Sequence, residues 1–236
     1  MKKFIFDTSS EVADQFANHF KNLSAGKSEF HVALSGGSTP KILFDIIVEK
    51  YASQFDWSKI HLWWGDERCV PPADNESNYR MTLNHLISHI NIPEGNIHRV
   101  LGENKPAEEA KRYAAEIEAT IPSKNGLPYF DLIMLGMGPD GHTASIFPHQ
   151  MYLLESDDIC EVATHPESGQ HRITLTGKTI NNAAVIAFLV TGGNKTEKIT
   201  SIFNKDLNHE LYPAAHIDPR DGELIWFLDN DAWGNN

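Results

Sequence analysis

Apolar runs of strand length that alternate with helical stretches are the feature that most constrains the fold. These runs largely lack the alternation of apolar and polar residues that marks a strand with one solvent face. The clearest predicted strands are Phe30–Leu34, Ile60–Trp64, 130–135, Val185–Val190 and 224–228. The clearest predicted helices are 41–51 and 107–119. Strands covered on both faces and joined by helices predict a doubly wound α/β fold, with a mostly parallel sheet flanked by helices.

The composition fits one globular domain. The chain has 236 residues, of which 41% are hydrophobic and 22% are charged, so it is long enough to bury a core. It contains no internal repeat or long linker, and the polar stretch 204–211 has the composition of a loop. We therefore expect a single α/β domain over residues 1–236.

The charge balance and apolar runs limit the partners of the chain. Its 20 Lys and Arg residues against 32 Asp and Glu give a formal net charge of −12, which disfavours nucleic-acid binding through a basic face. The longest apolar run, 183–190, is too short to span a membrane, and the first residues lack an apolar signal core. The two cysteines, Cys69 and Cys160, fit a reducing compartment. We therefore expect a soluble cytoplasmic protein with neither a nucleic-acid nor a membrane partner.

Four predicted strands are followed by loops rich in glycine or in charged side chains. These loops begin after Leu34, Trp64, Leu135 and Val190. In doubly wound sheets, ligands bind beyond the carboxyl ends of the strands. The four loops are therefore where a ligand site is expected.

The first loop has the composition of a phosphate site. It reads Ser35-Gly36-Gly37-Ser38-Thr39-Pro40. Its glycines permit close backbone approach, Thr39 can cap the next helix, and Pro40 suits the first helical turn. Free N–H groups and hydroxyls at a helix N-terminus favour a phosphate, although a well-capped turn without a ligand has the same pattern.

The second loop places three charged residues directly after an apolar strand. They are Asp66, Glu67 and Arg68. Such charges are either functional or solvated, and the polar residues 75–80 that follow fit a helix start as well as a surface loop. We treat Arg68 as a catalytic candidate, and Asp66 and Glu67 as further active-site candidates.

The third loop contains the pattern G-x-G-x-x-G after a strand, which raises the possibility of a dinucleotide site. Its glycines are Gly136, Gly138 and Gly141. Pro139 interrupts the motif, Pro148 arrives before a long helix could form, and no clean second strand ends in an acidic ribose ligand. The sequence context therefore argues against an NAD-binding site at this loop.

The same loop offers a candidate acid–base pair. Asp140 stands two residues before His142 in a turn made flexible by Gly138 and Gly141, which we include as active-site candidates. A carboxylate near an imidazole fixes its tautomer and raises its basicity. We therefore interpret His142 as a general base and Asp140 as its partner, although a lone histidine is usually structural.

Two further cations are candidates for phosphate binding. Arg172 lies in the segment 172–176, and Lys195 follows two glycines after the strand that ends at Val190. Each alone is more often a surface charge, but Lys195 could reach a phosphate held by the first loop. The segment is not a P-loop, and the chain shows no ligand spacing such as His-x-x-x-His or Cys-x-x-Cys, so we expect no metal.

Together the loops resemble the signatures of the 6-phosphogluconolactonase family, which shares a fold with glucosamine-6-phosphate deaminases and isomerases. The resemblance covers most of the chain and rests on residues 34–40, 65–68 with Asn78 and Tyr79, and 135–145. It implies a modified Rossmann-like fold without a dinucleotide, no cofactor or metal, and a sugar-phosphate lactone as substrate. The implied reaction is hydrolysis of 6-phospho-D-glucono-1,5-lactone in the pentose phosphate pathway.

Two other functions remain open at this stage. A deaminase or isomerase typically continues the Asp-Gly-His turn into Ile-Ala-Phe-Asn-Glu, whereas this chain reads Thr143-Ala144-Ser145-Ile146-Phe147-Pro148. A non-catalytic sugar-phosphate sensor would keep the phosphate site, but it predicts a partner domain and a degraded catalytic turn. Lactone hydrolysis is the predicted function that best fits the sequence of this turn.

Overall fold

Strands and helices alternate along most of the chain in this computed structural model, which describes residues 1–234. The strands are β1 (Lys2–Phe6), β2 (Phe30–Leu34), β3 (Ile60–Trp64), β4 (Asp66–Arg68), β5 (Ser123–Lys124), β6 (Leu127–Pro128), β7 (Leu132–Leu135), β8 (Cys160–Thr164), β9 (His171–Leu175), β10 (Val185–Val190) and β11 (Glu223–Asp229). The α-helices are α1 (Ser9–Ser24), α2 (Ser38–Ile46), α3 (Asn78–His85), α4 (Pro106–Thr120), α5 (Gly177–Asn181), α6 (Thr196–Asn204) and α7 (Asn230–Trp233). A π-helical segment extends α2 over Ile47–Tyr51, and 3-10 helices cover Ala52–Gln54, Trp57–Lys59, Ile87–His89, Glu94–Asn96, Pro148–Leu154, Gly193–Lys195, His209–Leu211 and Pro213–His216.

A six-stranded parallel sheet organises the fold. Its strand order is β1-β11-β10-β7-β2-β3, and each neighbouring pair is parallel. From β2 the chain moves outward to β3 at one edge and then returns to β7 on the other side of β2. The connections therefore change direction between β2 and β7, which is the switch point where such sheets bind ligands.

The central strands are buried as their sequences predict. Every residue of β2, β7 and β10 is buried, and large aromatic side chains such as Trp63, Phe188 and Trp226 are almost fully enclosed. Burying a side chain of this size stabilises the fold by roughly 1.5–3 kcal/mol. The predicted α/β fold with a mostly parallel sheet is confirmed.

None of the helices in the described part of the chain is long and apolar enough to cross a membrane.

Several boundaries and two sheet regions differ from the sequence prediction. The strand expected from residue 130 begins at Leu132, and the helix expected over 41–51 begins at Ser38 and becomes π-helical at Ile47. The edge strand β1 is not among the predicted strands, because it starts with two lysines and most of its residues are exposed. A small antiparallel sheet, β4-β9-β8, is not predicted either, because its strands carry polar residues.

The predicted capping role of Thr39 is wrong. Helix α2 begins at Ser38, and its N-cap is Gly37, which has a φ of 109° and provides no side-chain cap. The Thr39 hydroxyl instead lies 2.7 Å from the Thr191 hydroxyl, at the end of β10. Pro40 does lie in the first turn, as expected. The threonine therefore joins two of the strand-end loops.

Candidate active site

A cleft with two lobes lies at the carboxyl ends of the central strands. Each lobe has a volume of about 170 Å³. The first lobe is lined by Ser35, Gly36, Gly37, Asp66, Arg68, Asn78, Gly136, Met137, Gly138, His142, Ala144 and Arg172. The second is lined by Gly36, Gly37, Ser38, Thr39, Pro40, Gly136, Met137, Leu189, Val190, Thr191 and Lys195. The lobes thus meet at the loops that follow β2 and β7, the two strands of the switch point.

The turn after β7 holds the predicted acid–base pair. His142 Nδ1 lies 2.5 Å from Asp140 Oδ1, and the His142 backbone N–H donates to the same carboxylate oxygen at 3.2 Å. The turn is closed by hydrogen bonds from Gly138 N–H to the His142 carbonyl and from Gly141 N–H to the Gly138 carbonyl. The carboxylate is therefore fixed beside one ring nitrogen, and Nε2 is the nitrogen left for a water or a substrate.

Glycine is required at position 138 by the space beside this pair. A Cβ at Gly138 would collide with the imidazole of His142 and would lie 2.7 Å from Asp140 Oδ1. Gly141 has a φ of +83°, which favours glycine for conformational reasons. Both glycines therefore shape the turn, as the sequence predicts.

The electrostatics of Asp140 fit its role beside an imidazole. Burial favours the neutral acid, but the hydrogen bond and charge of His142 outweigh it, so the pKa of the Asp140 carboxyl is lowered. The carboxylate is therefore ionised at neutral pH. An ionised partner can orient the ring and stabilise the imidazolium that forms when the ring accepts a proton.

Arg68 and Arg172 face each other across the small antiparallel sheet. They are register partners on β4 and β9, and both line the first lobe. One Arg68 nitrogen donates to the Glu76 carbonyl at 2.6 Å, whereas the Nε atom of each arginine is buried and has no hydrogen-bond partner among residues 1–234. Unpaired buried donors are costly, and two cations that carry them suit an anionic ligand.

Asp66 fixes the position of Arg172 through a serine. The Ser145 hydroxyl donates to Asp66 Oδ2 at 2.6 Å and lies 3.4 Å from one Arg172 nitrogen, which donates to it. Burial lowers the pKa of Arg172 and the charge of Asp66 opposes this change. The arginine side chain also lies over the Phe147 ring, at 5.5 Å from its centroid. Asp66 thus lies in the cleft and supports a cation there.

Glu67 is buried beneath the cleft and does not line it. Its carboxylate accepts backbone hydrogen bonds from Arg68, Asn78 and Tyr79, and one from the Ser77 hydroxyl. Burial raises the pKa of Glu67, and the backbone donors oppose that rise. These contacts tie β4 to the start of α3, so the geometry supports a structural role for Glu67.

The loop after β2 forms the wall between the two lobes. Gly36 lies against the Asn78 carboxamide, with which a Cβ at position 36 would collide. Asn78 in turn donates to the Asp66 carbonyl at 2.9 Å. Ser35 lines only the first lobe, and Ser38 and Thr39 line only the second. Gly36 and the N-cap residue Gly37 therefore border both lobes, whereas the first residues of α2 border the second lobe only.

Lys195, which follows β10, lies beside this loop in the second lobe. It lines the second lobe, and burial lowers the pKa of its ammonium, while the charge of Asp140 opposes that change. No ion pair or hydrogen bond involves its ammonium within residues 1–234. The structure therefore does not join Arg172 and Lys195 in one lobe, although both lobes are lined by Gly36 and Gly37.

Three side chains that organise the site were not singled out from single-residue chemistry: Asn78, Ser145 and Phe147. Asn78 and Ser145 belong to the motifs that carry the family resemblance, which was the available signal. Phe147 is fully buried, and its ring centroid lies 4.7 Å from that of His142. No sequence spacing could indicate that one ring touches both His142 and Arg172.

No group of three or more His, Cys, Asp or Glu residues that could hold a metal occurs in the described chain.

The fold and the switch-point cleft define an α/β protein with a candidate small-ligand site between β2 and β7. Comparison with known proteins gives its family. The model of the glucosamine-6-phosphate isomerases/6-phosphogluconolactonase family matches residues 6–226. A 6-phosphogluconolactonase of Haemophilus influenzae is 45% identical over 233 residues, which are 98% of each chain. The chain therefore belongs to this family.

Solved structures agree with this assignment. The structure of the devB protein has a TM-score of 0.94 and 44% identity, and the match covers 98% of this chain and 97% of that one. A 6-phosphogluconolactonase from Thermotoga maritima has a TM-score of 0.83 and 28% identity, with 97% and 99% covered. A monomeric glucosamine-6-phosphate deaminase also has a TM-score of 0.83, but at 18% identity it shows the common fold alone.

Proposed function

We propose that this protein is a 6-phosphogluconolactonase, which hydrolyses 6-phospho-D-glucono-1,5-lactone to 6-phosphogluconate in the pentose phosphate pathway. The observation that carries the proposal is the contact between Asp140 and His142 in a cleft that also contains Arg68, Arg172 and Lys195. A base beside cations that form no ion pair within residues 1–234 suits a substrate that combines a hydrolysable carbonyl with a phosphate. The identity to curated lactonases over nearly the whole chain supports the same reaction.

His142 is the general base of the proposed mechanism. Its Nδ1 is engaged by Asp140, so Nε2 accepts a proton from a water molecule as the water attacks the lactone carbonyl. The Asp140 carboxylate stabilises the resulting imidazolium. Collapse of the tetrahedral intermediate breaks the bond to the ring oxygen, which receives the proton and becomes a hydroxyl.

The substrate phosphate lies over the loop Ser35-Gly36-Gly37-Ser38-Thr39 in this proposal. Arg172 and Lys195 reach it from the two lobes, and backbone N–H groups at the start of α2 add neutral donors. Binding the phosphate away from the reacting carbon places the carbonyl near His142. Arg68, in the same lobe as His142, is then the cation available to stabilise the oxyanion.

The turn after His142 disfavours the deaminase alternative. No acidic residue lies between Thr143 and Pro148. Deamination requires ring opening and proton transfer at C2, whereas a lactone arrives with a closed ring and an electrophilic carbonyl. The fold is common to both activities, so this difference in the site separates them. We further propose that the protein acts in the cytoplasm, as one domain, without a nucleic-acid partner.

A substrate comparison tests the proposed function. The lactone is generated freshly with glucose-6-phosphate dehydrogenase, and its spontaneous hydrolysis is subtracted. We expect the protein to accelerate the remaining hydrolysis and to release no ammonia from glucosamine 6-phosphate, which should act at most as a weak competitive ligand. Ammonia release at a kcat comparable to lactone hydrolysis would show that the protein is a deaminase, and would implicate another carboxylate of the cleft, such as Asp66.

A further inference from the structure

A segment far from β7 in sequence packs directly on the catalytic turn. We call residues 205–216, which follow α6, the strap. The ring of Tyr212 in the strap lies so close to Gly141 that a Cβ there would be 2.6 Å from Tyr212 Cδ1 and 2.7 Å from Cγ. The Ala214 N–H also donates to the Gly141 carbonyl at 3.1 Å. The strap therefore touches the one residue that stands between Asp140 and His142.

The strap is anchored where it meets the turn. Pro213 and Ala214 are buried, and the Ala215 N–H donates to the Tyr212 carbonyl at 2.9 Å. The ammonium of Lys198, on α6, lies 5.4 Å from the centroid of the Tyr212 ring. Elsewhere the strap faces solvent, since Leu211 is 60% exposed. The contact with Gly141 is thus a fixed point of an otherwise exposed segment.

From this packing we propose that Tyr212 is a positioning residue for the Asp140–His142 pair, an inference that rests on the proposed function. Gly141 has access to far more backbone conformations than other residues, and each of them moves Asp140 relative to His142. The Tyr212 ring removes the space into which the turn would relax. Misplacement of a catalytic group by about 1 Å can cost roughly 100-fold in rate. Tyr212 touches no substrate in this proposal, because it lines neither lobe of the cleft.

The first experiment compares three variants in steady-state hydrolysis of the lactone. We expect Tyr212→Ala to lower kcat about tenfold or more with little change in KM, since the phosphate contacts remain. Tyr212→Phe should retain most of the kcat, because the ring, not the hydroxyl, covers Gly141. Leu211→Ala is the matched control, because it removes an exposed side chain from the adjacent position and should leave kinetics unchanged. A kcat of Tyr212→Ala within twofold of the parent would overturn the proposal.

A double-variant cycle distinguishes positioning from general loss of stability. If Tyr212 acts through the Asp140–His142 contact, Tyr212→Ala should cost little further activity in an Asp140→Asn background. Full additivity of the two effects would overturn the proposal. Thermal unfolding identifies variants that fail to fold, and Tyr212→Leu, which retains more of the buried volume, then replaces Tyr212→Ala.

A third measurement is independent of activity. Hydrogen exchange of the segment 136–145 reports how often the turn opens, because the Gly141 N–H is bonded to the Gly138 carbonyl. We expect exchange there to accelerate in Tyr212→Ala and to stay unchanged in Tyr212→Phe. This outcome would support the packing role even if the parent protein did not hydrolyse the lactone, in which case only the proposed function fails. Unchanged exchange in Tyr212→Ala would contradict the role.

Discussion

His142 Nδ1 lies 2.5 Å from Asp140 Oδ1, and the same carboxylate oxygen accepts the His142 backbone N–H. This double contact fixes both the ring and the backbone of the residue that we assign as the base. It also determines which nitrogen is available, because Nδ1 is occupied and Nε2 has no hydrogen-bond partner among residues 1–234. The assignment of the base therefore depends on a relationship between two side chains that are only two residues apart.

Removal of the base should affect turnover far more than binding. We expect His142→Asn to lower kcat by roughly 100-fold or more, with smaller effects on KM and on the melting temperature, because proton transfer is lost and the phosphate contacts are kept. Asp140→Asn should also lower kcat. Steady-state kinetics on fresh lactone provide the test, and near-normal kcat in His142→Asn would remove this residue from the mechanism.

Gly138→Ala should disable the site while leaving the fold intact. The added methyl group would collide with the His142 ring and crowd Asp140, and neither side chain can move without loss of their mutual contact. We expect kcat to fall by at least tenfold, with a small change in melting temperature. Gly95→Ala is the matched control, since a Cβ at Gly95 meets no atom within 4 Å. Equal kinetics in the two variants would refute the close packing at Gly138.

Loss of either cationic side chain that we propose to bind the phosphate, Arg172 or Lys195, should weaken the binding of substrate and product alike. We expect Arg172→Ala and Lys195→Ala to raise KM and to raise the Kd of 6-phosphogluconate by tenfold or more, because charge-assisted contacts contribute roughly 1.5–3 kcal/mol. Titration calorimetry with 6-phosphogluconate measures this, with inorganic phosphate as a competitor. Lys41→Ala, an exposed lysine on α2, is the control. A substitution that spared affinity would show that its residue is not part of the phosphate site.

The proposed roles of Arg68 and Arg172 can be distinguished by whether substitution changes kcat or the Kd of 6-phosphogluconate. If Arg68 stabilises the oxyanion, Arg68→Ala should lower kcat by roughly 100-fold and leave the Kd of 6-phosphogluconate within a fewfold of the parent, since the product carries no tetrahedral oxyanion. If Arg68 instead binds phosphate, the product Kd should rise as in Arg172→Ala. The same calorimetry and kinetics decide between these outcomes.

Stability should fall on acidification because of a buried histidine on β2. His31 is 2% exposed and accepts a hydrogen bond from Trp63 Nε1, and burial, aided by the charge of His61, lowers its pKa to about 4. The unfolded side chain takes up a proton near pH 6.5, so between about pH 6.5 and 4 the unfolded state binds more protons. The free energy of unfolding should therefore decrease as pH falls through this window, by up to about 1.4 kcal/mol per pH unit for this residue.

Urea denaturation at pH 7.5 and pH 5 measures this effect. His31→Gln keeps an acceptor for Trp63 but cannot be protonated, so its stability should depend less steeply on pH than that of the parent. The pKa values of His19 and His61 are also lowered, mainly by burial, so some dependence should remain. An identical pH slope in the parent and in His31→Gln would show that His31 does not contribute.

The sequence by itself determined the layered fold and the pairing of Asp140 with His142 in the turn that we propose to be catalytic. Uninterrupted apolar runs such as Val185–Val190 require cover on both faces, which helices on a parallel sheet provide. Asp140 and His142 are neighbours in the chain, so their pairing is local and could be predicted from spacing. The glycine-rich loop after β2 was likewise visible, because glycine content and position are properties of the sequence alone.

Only the tertiary structure decided which distant residues meet. Arg68 and Arg172 lie together because two short polar strands pair in antiparallel fashion, a register that no apolar pattern specifies. Glu67 and Asp66 are adjacent in sequence, but Glu67 accepts hydrogen bonds from backbone N–H groups at the start of α3, whereas Asp66 lines the cleft. Tyr212 reaches Gly141 across some seventy residues of chain. Such contacts depend on the packing of whole elements. The local sequence could therefore indicate candidate residues but could not predict which of them lie together.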